Sequence, residues 1–253
     1  MLPADAEALS LDRLGSDRSP AEADLAISLG GDGTMLRAIK SVAAFDVPVI
    51  GVNVGLLGYL TEVEPPSLQT ALERWARGPQ GGEWRVEERM MLQLAVRAAG
   101  SDTSHTHIAL NEGVIEKFEA GHTVRVAVAI DGAPFTSYAA DGMILATPTG
   151  STAYSMSARG PVVSPRHRAI LVTPVSPHML FDRTLVLDPD ETVSVEVIGH
   201  RTAILSIDGQ EAARLSEGDT VTATAAPRSA RFVRFGERRF HQVLKAKFGL
   251  ADR

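Results

Sequence analysis

The sequence predicts an α/β N-terminal domain with a parallel sheet, followed by an all-β, antiparallel, sandwich-like C-terminal domain. Two patterns predict it. In the first third of the chain, short apolar runs alternate with segments whose apolar residues recur at helical spacing. From about Trp84 to Ala226 no convincing helical period appears. Apolar and polar residues alternate there instead, and Asp-Gly dipeptides punctuate them. The expected limits are 1–84 for the α/β domain and 85–229 for the all-β domain. The remaining tail, 230–253, is expected to pack back on the first domain. Glycines at Gly78, Gly81 and Gly82 suit a linker near the boundary.

Residues 1–22 are acidic and alanine-rich. Their pattern predicts at most a weak helix over Ala6–Leu14 and a loop over Gly15–Pro20. Ala23–Leu29 is short and apolar, as a buried strand is. Gly30-Gly31-Asp32-Gly33-Thr34 follows, then Met35–Ala43, apolar at Leu36, Ile39 and Ala43 with helical spacing. Val47–Val52 is a second buried strand, feeding the glycine-rich exit Asn53–Leu60. Strand, helix, strand implies a βαβ unit with parallel strands. Both glycine loops then share the carboxyl edge of the sheet, where ligands gather. A helix begins at Pro66-Ser67-Leu68, with Leu68, Ala71, Leu72 and Trp75 on one face, and Gly78-Pro79 ends it. In the second domain Leu92, Leu94 and Val96 alternate, as do Val124 to Ile130 and Val193 to Val197. Asp131-Gly132 and Asp208-Gly209 mark hairpins. Phe240–Leu250 regains weak helical spacing at Val243, Leu244 and Phe248.

Composition narrows the function classes. The chain has 253 residues, 44% of them hydrophobic and 22% charged, as an ordinary globular protein has. A net charge of -6 disfavours a nucleic-acid coat. The run Arg228, Arg231, Arg234, Arg238 and Arg239 is read as the polar face of a strand. There is no cysteine, so there are no disulfides or thiolate metal sites. No apolar run approaches the roughly 20 residues that span a bilayer. The start lacks a signal-peptide pattern. A cytoplasmic protein without membrane or nucleic-acid partners is therefore expected.

Three stretches carry chemistry. In the first, Gly30 to Thr34, glycines let backbone N–H groups approach a ligand, and the helix start offers further N–H groups and a positive dipole end to phosphate. Asp32 opposes an anion unless it has a task. It could accept a proton from an attacking hydroxyl, hold a metal that bridges phosphates, or simply cap the helix. In the second, Asn111-Glu112 places an amide and a carboxylate among apolar neighbours. They suit a ribose diol or an exocyclic amine, or else form a surface turn. In the third, Asp141 to Ser157, an apolar strand ends in uncharged hydroxyls. Ser151, Thr152, Tyr154, Ser155 and Ser157 suit a sugar or an amide, and Tyr154 offers a face to a base. A capped turn before a short helix explains the same residues without a ligand. His105 and His107 share a strand face and lack a third metal ligand nearby, so they are read as solvated.

These stretches, in this order and separation, resemble NAD kinases, and the resemblance runs from about Ala21 to Gly249. Glycine-Asp turns also occur in phosphofructokinases and in diacylglycerol and sphingosine kinases, but the run Thr147 to Tyr154 does not. The resemblance implies transfer of the γ-phosphate of ATP, or of polyphosphate, to the 2′-hydroxyl of the adenosine ribose of NAD. It implies a divalent metal, usually Mg2+, and a homodimer or homotetramer. It implies an α/β domain and an all-β domain with the site in the cleft between them. By position, Asp32 would be the proton acceptor, Gly33 would pack against the dinucleotide and Arg37 would reach phosphate. Asn111 and Glu112 would hold ribose hydroxyls and base edges. His122 falls where some members contact the ligand, although a lone histidine is more often structural. Asp141 would take a polar group at the nicotinamide or adenine end. Thr152, Ala153, Tyr154 and Ser157 would line the dinucleotide pocket, with Gln210 a further contact.

Two departures stand out. Many members carry an arginine two residues before the aspartate matched by Asp141; here Ala139 stands there. Members also carry a further strand and helix before the strand at Ala23, where 22 residues stand in this chain. The first βαβ unit is then expected to be incomplete, or completed by a strand from another chain or by sequence upstream. Two other readings stay open on the residues alone: a dinucleotide-binding module with impaired catalysis, and a lipid or sugar kinase sharing the glycine-Asp turn.

Overall fold

A computed structural model describes residues 19–250 apart from 120 and 238. The weak helix expected over Ala6–Leu14 lies outside them. The chain divides into two compact units. One runs to Glu88 and resumes at Arg228; the other is Arg89–Pro227.

In the first unit, β1 (Ala26–Gly30) leads through α1 (Asp32–Val42) to β2 (Val49–Asn53), and β1 and β2 pair in parallel from Ala26↔Val49 to Gly30↔Asn53. All five residues of β2 are buried, as a strand covered on both faces requires. Helix α1 buries Met35, Ile39 and Val42, so of the expected Leu36, Ile39 and Ala43 only Ile39 lies on its buried face, Leu36 being half-buried and Ala43 buried just past the helix end. Helix α2 (Leu68–Ala76) adds Leu68, Ala71, Leu72 and Trp75 to a core with Ile50, Val52, Val63 and Val233. The Trp75 ring stacks on Trp84 with centroids 4.1 Å apart.

Two further strands complete this sheet, in the order β1-β2-β16-β3, with β3 (Arg85–Arg89) and β16 (Ala230–Arg234). Because β3 joins this sheet, the structural division falls after Glu88 rather than after residue 84. Strand β16 also corrects the reading of the arginine run as a polar strand face. Arg234 is only 2% exposed. Its Nη1 donates to Leu60 O at 3.0 Å, and its guanidinium pairs with Glu62 at 3.4 Å and Glu87 at 3.3 Å. A buried charge persists when such partners surround it. Helix α4 (Phe240–Phe248) follows, and its Lys247 Nζ stands 4.4 Å over the Tyr59 ring.

The second unit holds two six-stranded sheets. One has the order β5-β4-β15-β12-β7-β8 and the other β11-β10-β9-β6-β13-β14. In chain order the strands are β4 (Leu92–Arg97), β5 (Ser104–Ala109), β6 (Glu112–Lys117), β7 (Val124–Ile130), β8 (Ala133–Ala140), β9 (Gly142–Ala146), β10 (Ile170–Val175), β11 (Leu185–Leu187), β12 (Val193–Val197), β13 (Ala203–Ile207), β14 (Gln210–Leu215) and β15 (Thr220–Ala225). Neighbouring strands in these sheets pair antiparallel. The alternating residues Leu92, Leu94, Val126, Val128, Val193 and Val195 meet Ile115, Met143, Leu145 and Leu205 in one core. Sheet β11–β14 is covered on its other face too, where Val114, Ile144, Ala146 and Leu171 pack against Ala158 and Val163. That explains why β9 is continuously buried rather than alternating. Both Asp-Gly dipeptides turn hairpins in the left-handed region, with φ of 50° and 76° at Asp131-Gly132 and 47° and 78° at Asp208-Gly209.

Candidate active site

Each unit presents a polar loop system at strand ends. In the first, β1 stops at Gly30 with φ of 151°. A Cβ there would lie 2.4 Å from Thr34 Oγ1, so glycine is required. Gly31 is the N-cap of α1, and no side chain caps the helix. Asp32 is therefore the first helical residue but not the cap. Its carboxylate turns to the second glycine loop instead. Oδ2 accepts from Tyr59 N–H at 2.8 Å and Oδ1 from Leu60 N–H at 2.9 Å. The approach is so close that a Cβ on Gly58 would sit 2.3 Å from Asp32 Oδ1. These bonds explain how a carboxylate is tolerated in an anion-friendly loop: it clamps the two glycine loops together. Each oxygen retains a second lone pair, so acceptor capacity remains. Gly33 is exposed with open space beside it. Arg37 reaches back along α1, Nη2 donating to Thr34 Oγ1 at 3.3 Å, which holds its charge near the helix start.

The second unit gathers the other residues. Asp208, at the tip of the β13–β14 hairpin, accepts three backbone N–H bonds. Oδ2 takes Leu110 N–H at 2.9 Å; Oδ1 takes Asn111 N–H at 2.8 Å and Glu112 N–H at 3.1 Å. This shapes the turn that presents Asn111 and Glu112, and Gln210 follows two residues later. The hydroxyl loop packs on the same turn. Thr147 N–H donates to Asn111 O at 2.9 Å, and Thr147 Oγ1 donates to Leu110 O at 2.6 Å. A Cβ on Gly150 would lie 2.1 Å from Asn111 O, so the loop approaches closely only because residue 150 is glycine.

Glu112 is 6% exposed and its Oε2 has no hydrogen-bond partner. Burial, and then the nearby Asp208 charge, push its carboxyl up to about 8, against which the Tyr154 backbone N–H works. It is therefore mainly a neutral acid at pH 7, able to donate and accept. The Tyr154 phenol is raised by burial and then by the charges of Glu116 and Asp141, so these groups are neighbours. Asp141 is held below the usual carboxylate range, first by its hydrogen bond from Lys117 and less by Ser176 and His178. The Lys117 Nζ to Asp141 Oδ1 distance is 2.5 Å. Ala139 lies on β8, its carbonyl accepting from His178 N–H at 2.8 Å. The cation at Asp141 comes instead from β6.

Hydroxyls read together in the sequence separate into two groups. Ser151 and Ser155 are fully buried. Ser151 Oγ donates towards Pro148 O at 2.7 Å and accepts from Val163 N–H at 3.0 Å. Ser155 Oγ meets Thr173 Oγ1 at 3.1 Å. These two serve the loop, not a ligand. Thr152 and Ala153 are half-buried, while Tyr154 and Ser157, on the short helix α3 (Tyr154–Ser157), are exposed. His122 lines a depression with Phe118, Glu119, His200 and Arg201 that Lys117 also borders and that neither Asn111 nor Glu112 lines. Asp32, Gly33 and Arg37 belong to the first unit and all other expected site residues to the second. Sequence reasoning missed Asp208 and Lys117. The first was legible only as a hairpin residue. The second became visible only through the strand register that opposes Glu116 to Gly142.

The chain is similar to known NAD kinases. Residues 12–79 match the family described as ATP-NAD kinase N-terminal domain, and residues 110–235 match ATP-NAD kinase C-terminal domain. An NAD kinase from Heliobacterium modesticaldum is 43% identical over 225 residues, covering 88% of this chain and 78% of the relative. A yeast NADH kinase solved with NADH superposes with a TM-score of 0.87 at 27% identity, over 99% of this chain and 78% of that one. An NAD kinase from Archaeoglobus fulgidus solved with ATP gives a TM-score of 0.74 at 25% identity, over 98% and 93%.

Proposed function

The chain belongs to the NAD kinase family and is a phosphotransferase, and from that premise we propose how its residues divide the work of one phosphoryl transfer. The acceptor is NAD, through the 2′-hydroxyl of its adenosine ribose. The donor is ATP, as the ATP-bound relative supports, with polyphosphate a second donor to be tested. Such a transfer asks mainly for positioning and charge compensation. Backbone N–H groups at Gly31 to Gly33, with Arg37, hold donor phosphates. Asn111, Glu112, Asp141, Thr152, Ala153, Tyr154, Ser157 and Gln210 hold the dinucleotide, with His122 at its margin. The 2′-oxygen attacks the γ-phosphorus, the bond to the β-phosphate oxygen breaks, ADP leaves, and Asp32 takes the hydroxyl proton.

A single observation carries this reading. Asp32 is held at the start of α1 by two backbone N–H groups and still has free acceptor capacity. The donor set does not suit a resident metal. Among the described residues no three His, Cys, Asp or Glu side chains group to hold one. A divalent cation, magnesium by preference, would therefore be held by the donor phosphates more than by the protein. Homo-oligomeric assembly and a cytoplasmic location are the accompanying proposals. Among the described residues no helix is long and apolar enough to cross a membrane.

The test is an NADP-formation assay with ATP and with polyphosphate, with magnesium present or chelated, on the wild type and on Asp32→Asn. Loss of turnover in the variant, with NAD affinity retained, is the expected result. Wild-type turnover in Asp32→Asn would remove Asp32 from the chemistry.

A further inference from the structure

We infer that Lys117 is a positioning residue for the dinucleotide, fixing the Asp141 carboxylate and cancelling its charge beside Tyr154. The inference rests on the reading that Asp141 touches the acceptor. It begins with the register. Strand β6 runs antiparallel to β9 with Glu116 opposite Gly142, which brings Lys117 level with Asp141 at the β8–β9 junction. The backbone repeats the contact, Lys117 N–H donating to Asp141 O at 3.1 Å. The side chains then close the ring, Nζ to Oδ1 at 2.5 Å. Both side chains remain about one-third exposed, at 32% and 38%, so the pair sits at a rim and not in the core.

What surrounds the pair gives it a task. Glu116 and Asp141 both act on the Tyr154 phenol, and Lys117 opposes them. Without Lys117, two carboxylates would face a loop meant to receive a dinucleotide, whose pyrophosphate is itself anionic. Like charges at such range repel, and less solvent than at an open surface screens them. With Lys117 in place, Asp141 is oriented and locally neutral, and its second oxygen can accept from the ligand. Ser176, in the left-handed region at φ of 47°, and more weakly the charge of His178 also favour the ionised form of this carboxylate. Lys117 need not touch the ligand to act; it acts through Asp141.

The test is a double-mutant cycle on the full chain, read as KM for NAD, kcat and thermal midpoint. Lys117→Met should raise KM for NAD by roughly tenfold with kcat within about threefold. Lys117→Arg, which restores the charge, should recover most of that loss. Asp141→Asn should also raise KM. The double variant Lys117→Met/Asp141→Asn should be no worse than Asp141→Asn, because the unpaired carboxylate is gone. If Lys117→Met folds poorly, Lys117→Gln keeps the cycle readable. A normal KM in the Lys117 variants, with Asp141→Asn impaired, overturns the positioning role alone. A normal KM in Asp141→Asn overturns the placement of Asp141, and the role of Lys117 with it. A lowered midpoint with unchanged KM would mean that the pair is merely structural.

Discussion

Asp32 and Glu112 are two site carboxylates treated in opposite ways. Asp32, half-buried, has both oxygens bonded to backbone N–H groups at 2.8 and 2.9 Å. Glu112, 6% exposed, has Asp208 for a neighbour and an oxygen with no partner. The first unit surrounds its carboxylate with donors, and the second desolvates its carboxylate beside a like charge. The difference fits the roles proposed for them. A group that must take a proton during transfer is held in place as an acceptor. A group that must recognise hydroxyls and base edges without repelling phosphate is kept as a neutral acid.

The largest way to break this comparison is Asp32→Asn. We expect kcat to fall by roughly 10²–10⁴-fold with little change in NAD affinity. The geometry adds a second effect. The amide offers one oxygen where the carboxylate offered two, so Tyr59 N–H or Leu60 N–H loses its partner. Thermal unfolding must therefore accompany the kinetics, with a structural loss of about 1–3 kcal/mol expected. A fall in kcat that merely follows unfolding would reduce Asp32 to a clamp between loops.

Glu112 sharpens the other side. Its carboxyl titrates at about 8 in the fold against an ordinary 4.5. Between those values the folded state holds the proton more tightly than the unfolded chain, so stability must fall as pH rises. The contribution is complete below about 4.5 and lost as pH passes through 8. As an upper limit, the effect is on the order of 5 kcal/mol. Denaturant unfolding of wild type and Glu112→Gln from pH 4.5 to 9 checks it. Glutamine mimics the neutral acid, so the variant should be the more stable protein above pH 8 and show a flatter profile. Parallel profiles would mean that Glu112 is charged in the fold, and the contrast with Asp32 would vanish.

Much of this was legible in the residues, and what was not has physical reasons. The existence of α1, the parallel pairing of β1 with β2 and both Asp-Gly hairpins follow from local spacing and turn chemistry. The division of duties inside the hydroxyl loop does not. Ser151 and Thr152 are adjacent and chemically alike, but one is fully buried and the other half-buried. Only the long-range partner Val163 decides it. Arg234 departs from its expected place for the same reason: alternation marks a strand face, but Glu62 and Glu87 arrive from distant sequence to pair with it where it is buried. Asp208 looked complete as a turn residue, and its second task, holding the Asn111-Glu112 turn, needed β13 to be seen beside β6. Gly150 lies between these cases. Glycine before a hydroxyl run suggests a turn, but the requirement is a carbonyl 2.1 Å from where a Cβ would stand. Since that oxygen is backbone, it cannot swing aside, and Gly150→Ala should cost about 3 kcal/mol and raise KM for NAD. Unchanged stability and KM would show that the loop and the Asn111 turn move independently.

The smallest expected effect separates scaffold from ligand contact within two adjacent residues. Ser151→Ala removes a hydroxyl that donates towards Pro148 O and accepts from Val163 N–H, leaving buried groups unpaired. Its cost should be about 1–2 kcal/mol in stability. Kinetic constants per folded molecule should stay within about twofold, because the hydroxyl faces inward. Thr152→Ala should do the reverse. Its hydroxyl bonds only weakly, to Thr149 O at 3.3 Å, and the residue is half-buried. Stability should change by less than about 0.5 kcal/mol, while KM for NAD rises by roughly threefold to tenfold. Urea titration and steady-state kinetics on the same two preparations decide it. If both variants lose stability and neither shifts KM, the hydroxyl loop is scaffold throughout, and recognition of the dinucleotide must rest on Asn111, Glu112 and Asp141.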